Sequence, residues 1–265
     1  MDFERLGAGV PLLVLLPSST GPNGPAILLE RLAEFSDVHN LEPGRLAPGM
    51  SNSKSASALS GAPVDDLLNA LADEVVAWMD GLGIGAAHFL CHSTGCGIGQ
   101  SLAARFPERI GKLVLVTPWA HADPHLHNMQ TLRKAAARAL DPEQYARFNE
   151  AILFPPEYRR RHERGFAQIA TSAQVTPQDP VAISRRLDAI LAFDAREVWG
   201  GIHCPTLVVA SRDDQLMPSW GARATAEGIA NAELAVLDGG GHMLPETRPD
   251  ELAGLIHAFL LRPGV

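Results

Sequence analysis

Between Phe89 and Gln100 the chain reads Phe-Leu-Cys-His-Ser-Thr-Gly-Cys-Gly-Ile-Gly-Gln, and this stretch restricts the fold more than any other. An apolar run suited to a buried strand stops at Ser93. Glycines follow at positions 95, 97 and 99, and a helical spacing of apolar residues starts through Leu102, Ala103 and Phe106. A strand that turns straight into a helix, with one side chain held up at the bend, tolerates only small neighbours there. Ser93 occupies that bend. Taken alone, the stretch also fits a glycine-rich turn opening an ordinary helix of a nucleotide-binding sheet, so the rest of the chain must decide.

The flanking pattern is that of an α/β protein. Val10 to Leu16 is a short, uniformly apolar run of the kind a parallel strand shows when both its faces are covered. Leu28 to Phe35 has helical spacing, Val38 to Leu41 reads as a short strand, and Pro43 to Pro63, rich in Gly, Pro, Ser and Ala, reads as a long surface loop. Asp65 is placed to cap a helix whose apolar stripe runs through Leu68, Leu71, Val75, Met79 and Leu82. Strands are expected at His88 to His92, Lys112 to Val116, Thr206 to Ala210 and Glu233 to Leu237. A last helix from Pro249 should bury Leu252, Leu255, Ile256 and Phe259. From Trp119 to Trp199 the pattern is helical and interrupted by prolines. The expectation is a mostly parallel, doubly wound sheet formed by residues 1–118 and 200–265, carrying an inserted helical cap at 119–199.

Two further segments share the serine's chemistry. After the strand ending at Ala210 comes Ser211-Arg-Asp-Asp-Gln-Leu-Met-Pro218, and after the last strand comes Gly239-Gly-Gly-His-Met-Leu-Pro245. A serine hydroxyl needs a histidine to take its proton, and that histidine needs a carboxylate to fix its tautomer. Loops after successive parallel strands reach the same edge of the sheet. The bend at Ser93 resembles the nucleophile elbow of the α/β-hydrolase superfamily, with Cys91 where glycine is usual. The other two turns resemble that superfamily's acid and histidine turns, in its chain order Ser, Asp, His. The resemblance extends to Ala104-Arg-Phe-Pro-Glu-Arg-Ile-Gly-Lys-Leu-Val-Leu115 after the elbow and covers nearly the whole chain.

It implies a serine hydrolase with Ser93, His242 and Asp214 as its catalytic residues, Asp214 being the acid four residues before Pro218. Asp213 is then left as a solvated or loop-capping carboxylate, and Asp123 is the candidate if the acid follows the preceding strand. The backbone N–H of Thr94 is the expected first oxyanion donor. The second is expected at Ser19, although Pro17 and Ser18 replace the family's usual His-Gly pair. Ser18, His92, Trp119, His121 and His125 are candidates for touching substrate. The family usually places a hairpin before the first strong strand, and nine residues leave little room for it, so a sheet of fewer than eight strands is expected.

Composition removes several functions. A net charge of −8 argues against nucleic acid as the main partner. Three cysteines, an odd count without metal spacing, suit a reducing compartment. The acidic start and the lack of a long apolar run argue against a signal peptide or membrane span, so the expected location is the cytoplasm. His121, His125 and His127 have spacing that can hold a metal, yet no acidic or Cys constellation joins them, and no metal is expected. Gly95-x-Gly97-x-Gly99 lacks the third glycine of a dinucleotide fingerprint, which would fall at Gln100, and no cofactor is expected. The basic run Arg159 to Arg164 reads as an exposed helix face or as a partner for an acidic substrate. Segment 119–199 holds 11 Lys/Arg against 10 Asp/Glu, leaving the remainder at −9.

Within the superfamily the chain most resembles small-molecule catabolic hydrolases such as aminoacrylate hydrolases and enol-lactonases. This implies hydrolysis of a small ester, lactone or related acyl compound. A carbon–carbon hydrolase of ring-cleavage products, a perhydrolase or haloperoxidase-like enzyme, and a non-catalytic binding protein of the same fold remain as alternatives; the sequence leaves the oligomeric state open.

Overall fold

A computed structural model describes residues 4–16, 21–41 and 62–263. Seven strands form one sheet among these residues: β1 (Glu4–Gly7), β2 (Pro11–Leu15), β3 (Asp37–Leu41), β4 (Ala87–His92), β5 (Ile110–Val116), β6 (Thr206–Ser211) and β7 (Ala232–Leu237). Their order is β1-β3-β2-β4-β5-β6-β7. β1 pairs antiparallel with β3, and every other neighbour is parallel. Among the described residues a single short strand, β1, precedes β2 and lies on the sheet edge.

Alternation along the central strands sends side chains to two cores. Leu12, Val14, Leu90, Val114, Val116, Leu207 and Val209 face α1 (Ala26–Ala33) and the last helix, Pro249–Leu260. Leu13, Leu15, Phe89, Cys91, Leu113, Leu115 and Val208 face α2 (Leu67–Gly81) and α3 (Thr94–Arg105). Because both faces are covered, these strands carry apolar side chains at successive positions through their middles, which is why they read as continuous runs. At α2 the expected cap at Asp65 is replaced by a 3₁₀ turn, Val64–Asp66, closed by the Asp66 N–H on the Pro63 carbonyl at 3.1 Å. The α-helix therefore starts at Leu67. In the last helix Leu255 is only half-buried, beside fully buried Leu252, Ile256 and Phe259.

Between β5 and β6 lie α4 (Pro124–Ala139), α5 (Pro142–Leu153), α6 (Pro156–Arg161), α7 (Glu163–Val175) and α8 (Pro180–Ala192), then two 3₁₀ turns. Three of these helices begin with Asp-Pro. Asp123, Asp141 and Asp179 accept from the N–H groups of Leu126, Gln144 and Val181, while the proline occupies a first-turn position that needs no donor. α9 (Ser219–Gly228) packs on β6 and β7, and a short α10 (Leu244–Thr247) precedes α11 (Pro249–Leu260). Among the described residues, no helix is long and apolar enough to cross a membrane. The long loop expected from Pro43 to Pro63 lies outside the described residues except for its last two positions.

Candidate active site

At the bend between β4 and α3, Ser93 adopts φ 54° and ψ −122°, a backbone conformation that L-residues rarely hold and that lifts the side chain out of the turn. The neighbouring glycines make this bend sterically tenable. A Cβ at Gly95 would lie 2.3 Å from the Leu15 carbonyl oxygen, and one at Gly99 would lie 2.5 Å from the Cys91 sulfur. Cys91 fits where a glycine is usual because Gly99 leaves space for its thiol. Burial pushes that thiol's pKa up, so it is an inert packing group. The bend is tied to the neighbouring strand by the Ser93 N–H on the Val116 carbonyl, at 3.1 Å.

The turns after β6 and β7 converge on this serine. His242 Nε2 lies 2.9 Å from Ser93 Oγ, and His242 Nδ1 lies 2.8 Å from Asp214 Oδ2. The other oxygen of Asp214 accepts from the N–H groups of Leu216 and Met217, each at 2.9 Å, which fixes the carboxylate in its loop. Ser93, His242 and Asp214 are all buried, at 7%, 2% and 4% exposure, so water competes weakly for these hydrogen bonds. With the Asp214 carboxylate accepting from Nδ1, Nε2 is left free to accept from the serine hydroxyl.

Asp213 turns the opposite way. Its Oδ1 accepts from the Gly241 N–H at 2.8 Å and from the Ser211 hydroxyl, holding the glycine turn that presents His242. Asp123 is spent on the start of α4, where it accepts from the Leu126 N–H, and on Trp220 Nε1 at 2.8 Å.

A sequence profile of the alpha/beta hydrolase family matches residues 5–255. The chain belongs to the α/β-hydrolase family. It is a hydrolase by kinship as well: a proposed carbamate hydrolase, RutD, of Azorhizobium caulinodans is 33% identical over 71% of either chain. A solved hydrolase structure from Pseudomonas aeruginosa PA01 aligns with a TM-score of 0.79 at 26% identity, covering 98% of this chain and 94% of the other. The enol-lactonase of Burkholderia xenovorans LB400 shares the fold, with a TM-score of 0.77 at 23% identity over 98% and 96% of the two chains.

The remaining sequence candidates of this hydrolase occupy varied places. Thr94 opens α3, where the first N–H groups have no intrahelical acceptor. Ser18 and Ser19 lie outside the described residues. His92 is buried beneath the serine and donates from Nε2 to the His242 carbonyl at 2.9 Å, bracing the histidine turn. Burial, reinforced by the proximity of His242, pushes the His92 pKa down to about 3, so the ring is neutral. Trp119 is buried between Gly97 and the Phe193 ring. His121 and His125 border a cavity of about 50 Å³ with Asp123 and Trp220, and His125 Nε2 donates to the Gln215 carbonyl at 2.9 Å. A cavity of this size holds water rather than an acyl substrate.

Sequence reading missed a buried carboxylate one turn after His242. Glu246, at 6% exposure, accepts from the Asn23 N–H at 3.1 Å and from the Tyr158 hydroxyl at 3.2 Å, and Asn23 Nδ2 donates to that hydroxyl at 3.0 Å. A Cβ on Gly21 would overlap the same carboxylate. The loop after β2, the histidine turn and α6 are therefore clamped together. The only sequence signal was an acid following Leu-Pro within an otherwise apolar turn.

Proposed function

We propose that the chain hydrolyses a small ester, lactone or related acyl compound through an acyl-enzyme on Ser93. What carries the reading is the unbroken line of hydrogen bonds from Asp214 through His242 to Ser93, placed at a strained elbow. Ser93 Oγ attacks the carbonyl carbon while its proton passes to His242 Nε2, and Asp214 stabilises the imidazolium that results. The carbonyl oxygen becomes an oxyanion facing the Thr94 N–H at the positive end of α3, with a second donor assigned to the loop at Ser19. The C–O or C–N bond then breaks as Nε2 returns its proton to the leaving group. Water, deprotonated by the same nitrogen, releases the acid and restores Ser93. No cofactor enters these steps.

In this reading residues 119–199 form a cap over a core made of 1–118 and 200–265. The cap closes the pocket and selects the substrate. A second reading is favoured by the curated relatives, whose name proposes carbamate hydrolysis; a carbamate carbonyl is attacked by the same groups.

The test is labelling by a fluorophosphonate together with a panel of esters, lactones and carbamates. Parent protein is expected to label at Ser93 and turn over at least one class, while Ser93→Ala does neither and melts within a few degrees of the parent. Labelling that persists in Ser93→Ala would remove the assignment, and turnover of carbamates alone would select the second reading.

A further inference from the structure

The inward face of α4 is defined by Leu126, Gln130, Arg133 and Ala137, spaced by four, three and four residues. Two of those four positions are polar. Arg133 is 7% exposed, and among the described residues its terminal nitrogens donate only to neutral amide oxygens, Gln130 Oε1 at 3.1 Å and Asn149 Oδ1 at 3.4 Å. Among the described residues, its Nε, the Gln130 Nε2 and the Tyr145 hydroxyl are buried without a partner. From α8, packed along α4, Arg186 stands close enough for its charge to act on Arg133, and it has no hydrogen bond or ion pair among the described residues. Of the neighbouring cations of the same helices, Lys134 pairs with Asp188, while Arg138 donates to the neutral Ser184 hydroxyl.

An uncompensated buried charge costs several kcal/mol, and buried polar atoms are almost always satisfied. Here the buried guanidinium of Arg133 and that of the half-buried Arg186 share one region, with no carboxylate on either among the described residues. Burial brings the Arg133 pKa down to about 10, with Arg186 adding to the effect, and burial lowers that of Arg186 as well. Both remain cations at neutral pH. The unpartnered nitrogens are donors, and the hydroxyl can donate. The complement of such a set is a group that only accepts and carries negative charge.

The cluster is near the reacting groups. Tyr145, Asn149 and Leu153 lie on one face of α5 at successive turns, and the Leu153 carbonyl accepts from the His242 N–H at 3.0 Å. At 1.5 Å per residue, Asn149 and Tyr145 stand about 6 and 12 Å along α5 from that contact. A short aliphatic chain matches the nearer of these two distances. Tyr145 and Asn149 also line a cleft of about 850 Å³ among α4, α5, α7 and the start of α8, whose lining does not include Arg133 or Arg186.

We propose that Arg133 and Arg186, with Gln130, Tyr145 and Asn149, form a carboxylate-binding site that holds the non-reacting acid end of the substrate while Ser93 attacks the acyl group at the other. The assignment rests on the hydrolase reading of Ser93. It departs from the basic run at Arg159 to Arg164, where Arg160 and Arg161 are exposed and face Glu157.

The test separates binding from turnover. In the Ser93→Ala background, calorimetry compares monomethyl glutarate with neutral dimethyl glutarate. The acid is expected to bind roughly tenfold or more tightly, the scale of one or two charge-assisted hydrogen bonds. Arg186→Met removes a group without a partner and should abolish that preference, and Tyr145→Phe should reduce it. In the Ser93-containing protein, the ratio of kcat/KM for the two esters should fall about as far in Arg186→Met, through KM, and stay unchanged in Arg160→Gln. Equal binding of the two esters to Ser93→Ala, or an acid preference that survives Arg186→Met, would overturn the site. So would tighter binding of inorganic phosphate than of the monoester. An acid preference lost in Arg186→Met, in a protein whose Ser93 does not label, would support the site and defeat the hydrolase reading alone.

Discussion

Replacing Asp214 with asparagine tests the proposed roles through a conflict built into the loop. Asp214 uses one oxygen for His242 and the other for the N–H groups of Leu216 and Met217. An amide offers only one acceptor end. With its oxygen toward Leu216 and Met217, its NH₂ faces His242 Nδ1, which must then accept. The proton moves to Nε2, and the histidine donates to Ser93 instead of taking its proton. With the amide reversed, two buried N–H groups lose their acceptor, at about 1–3 kcal/mol each.

The first orientation wins by about 2–6 kcal/mol on that comparison, so Asp214→Asn should fold and hold the wrong tautomer. The expected loss in kcat is roughly 10⁴-fold, about 5 kcal/mol of transition-state stabilisation. Asp213→Asn leaves an oxygen for the Gly241 N–H, and its loss should be at least roughly tenfold smaller. The assay is the rate of fluorophosphonate labelling and of ester turnover for both variants, with melting temperatures as the folding control. Equal losses in two folded variants would show that His242 is oriented by some other group, and the reasoning would fail.

Two further outcomes follow from the same region. Gly99→Ala should destabilise the fold by about 1–3 kcal/mol through overpacking against the Cys91 sulfur, and should cost clearly less in a Cys91→Gly background; additive effects in chemical denaturation would refute that contact. His92 is neutral in the native protein, with its pKa pushed below the ordinary histidine value, so the unfolded chain binds the extra proton. Its contribution is complete above about pH 6.5 and should be lost at up to about 1.4 kcal/mol per pH unit as pH falls toward 3. His92→Asn should show a shallower acid limb than the parent in a pH series of denaturant midpoints.

The elbow was readable because its physical demand falls on residues adjacent in sequence: a strand, a serine and glycines at 95, 97 and 99. Asp214 and His242 were readable because each follows a strand directly, and parallel strands deliver their following loops to one edge. Asp123 is engaged in something equally local, the cap of the helix that opens with the proline after it, where it accepts from the Leu126 N–H. Other features depend on packing between distant segments. Glu246, Asn23 and Tyr158 come from three separate stretches, and nothing in any one of them marks a shared clamp. Arg133 and Arg186 stand in polar helices where an arginine reads as surface. A sign was available in the spacing of Arg133 from Leu126 and Ala137, which puts it on the apolar stripe, but the basic run at Arg159 to Arg164 drew attention by density. The half of the oxyanion site expected at Ser19, like the substrate candidate Ser18, falls outside the described residues.

The bond from the His242 N–H to the Leu153 carbonyl has a consequence for grafting. It joins the histidine turn to the end of α5 through main-chain atoms on both sides, so the bond itself depends on the path of the chain there and not on the side chain at 153, which is held separately by its burial in the core. If these helices select the substrate as proposed, exchanging those between β5 and β6 with a relative's would therefore transplant that preference only when the donor segment delivers a peptide carbonyl to the same spot. Such chimaeras should sort by backbone trajectory at that junction, whatever their sequence similarity elsewhere.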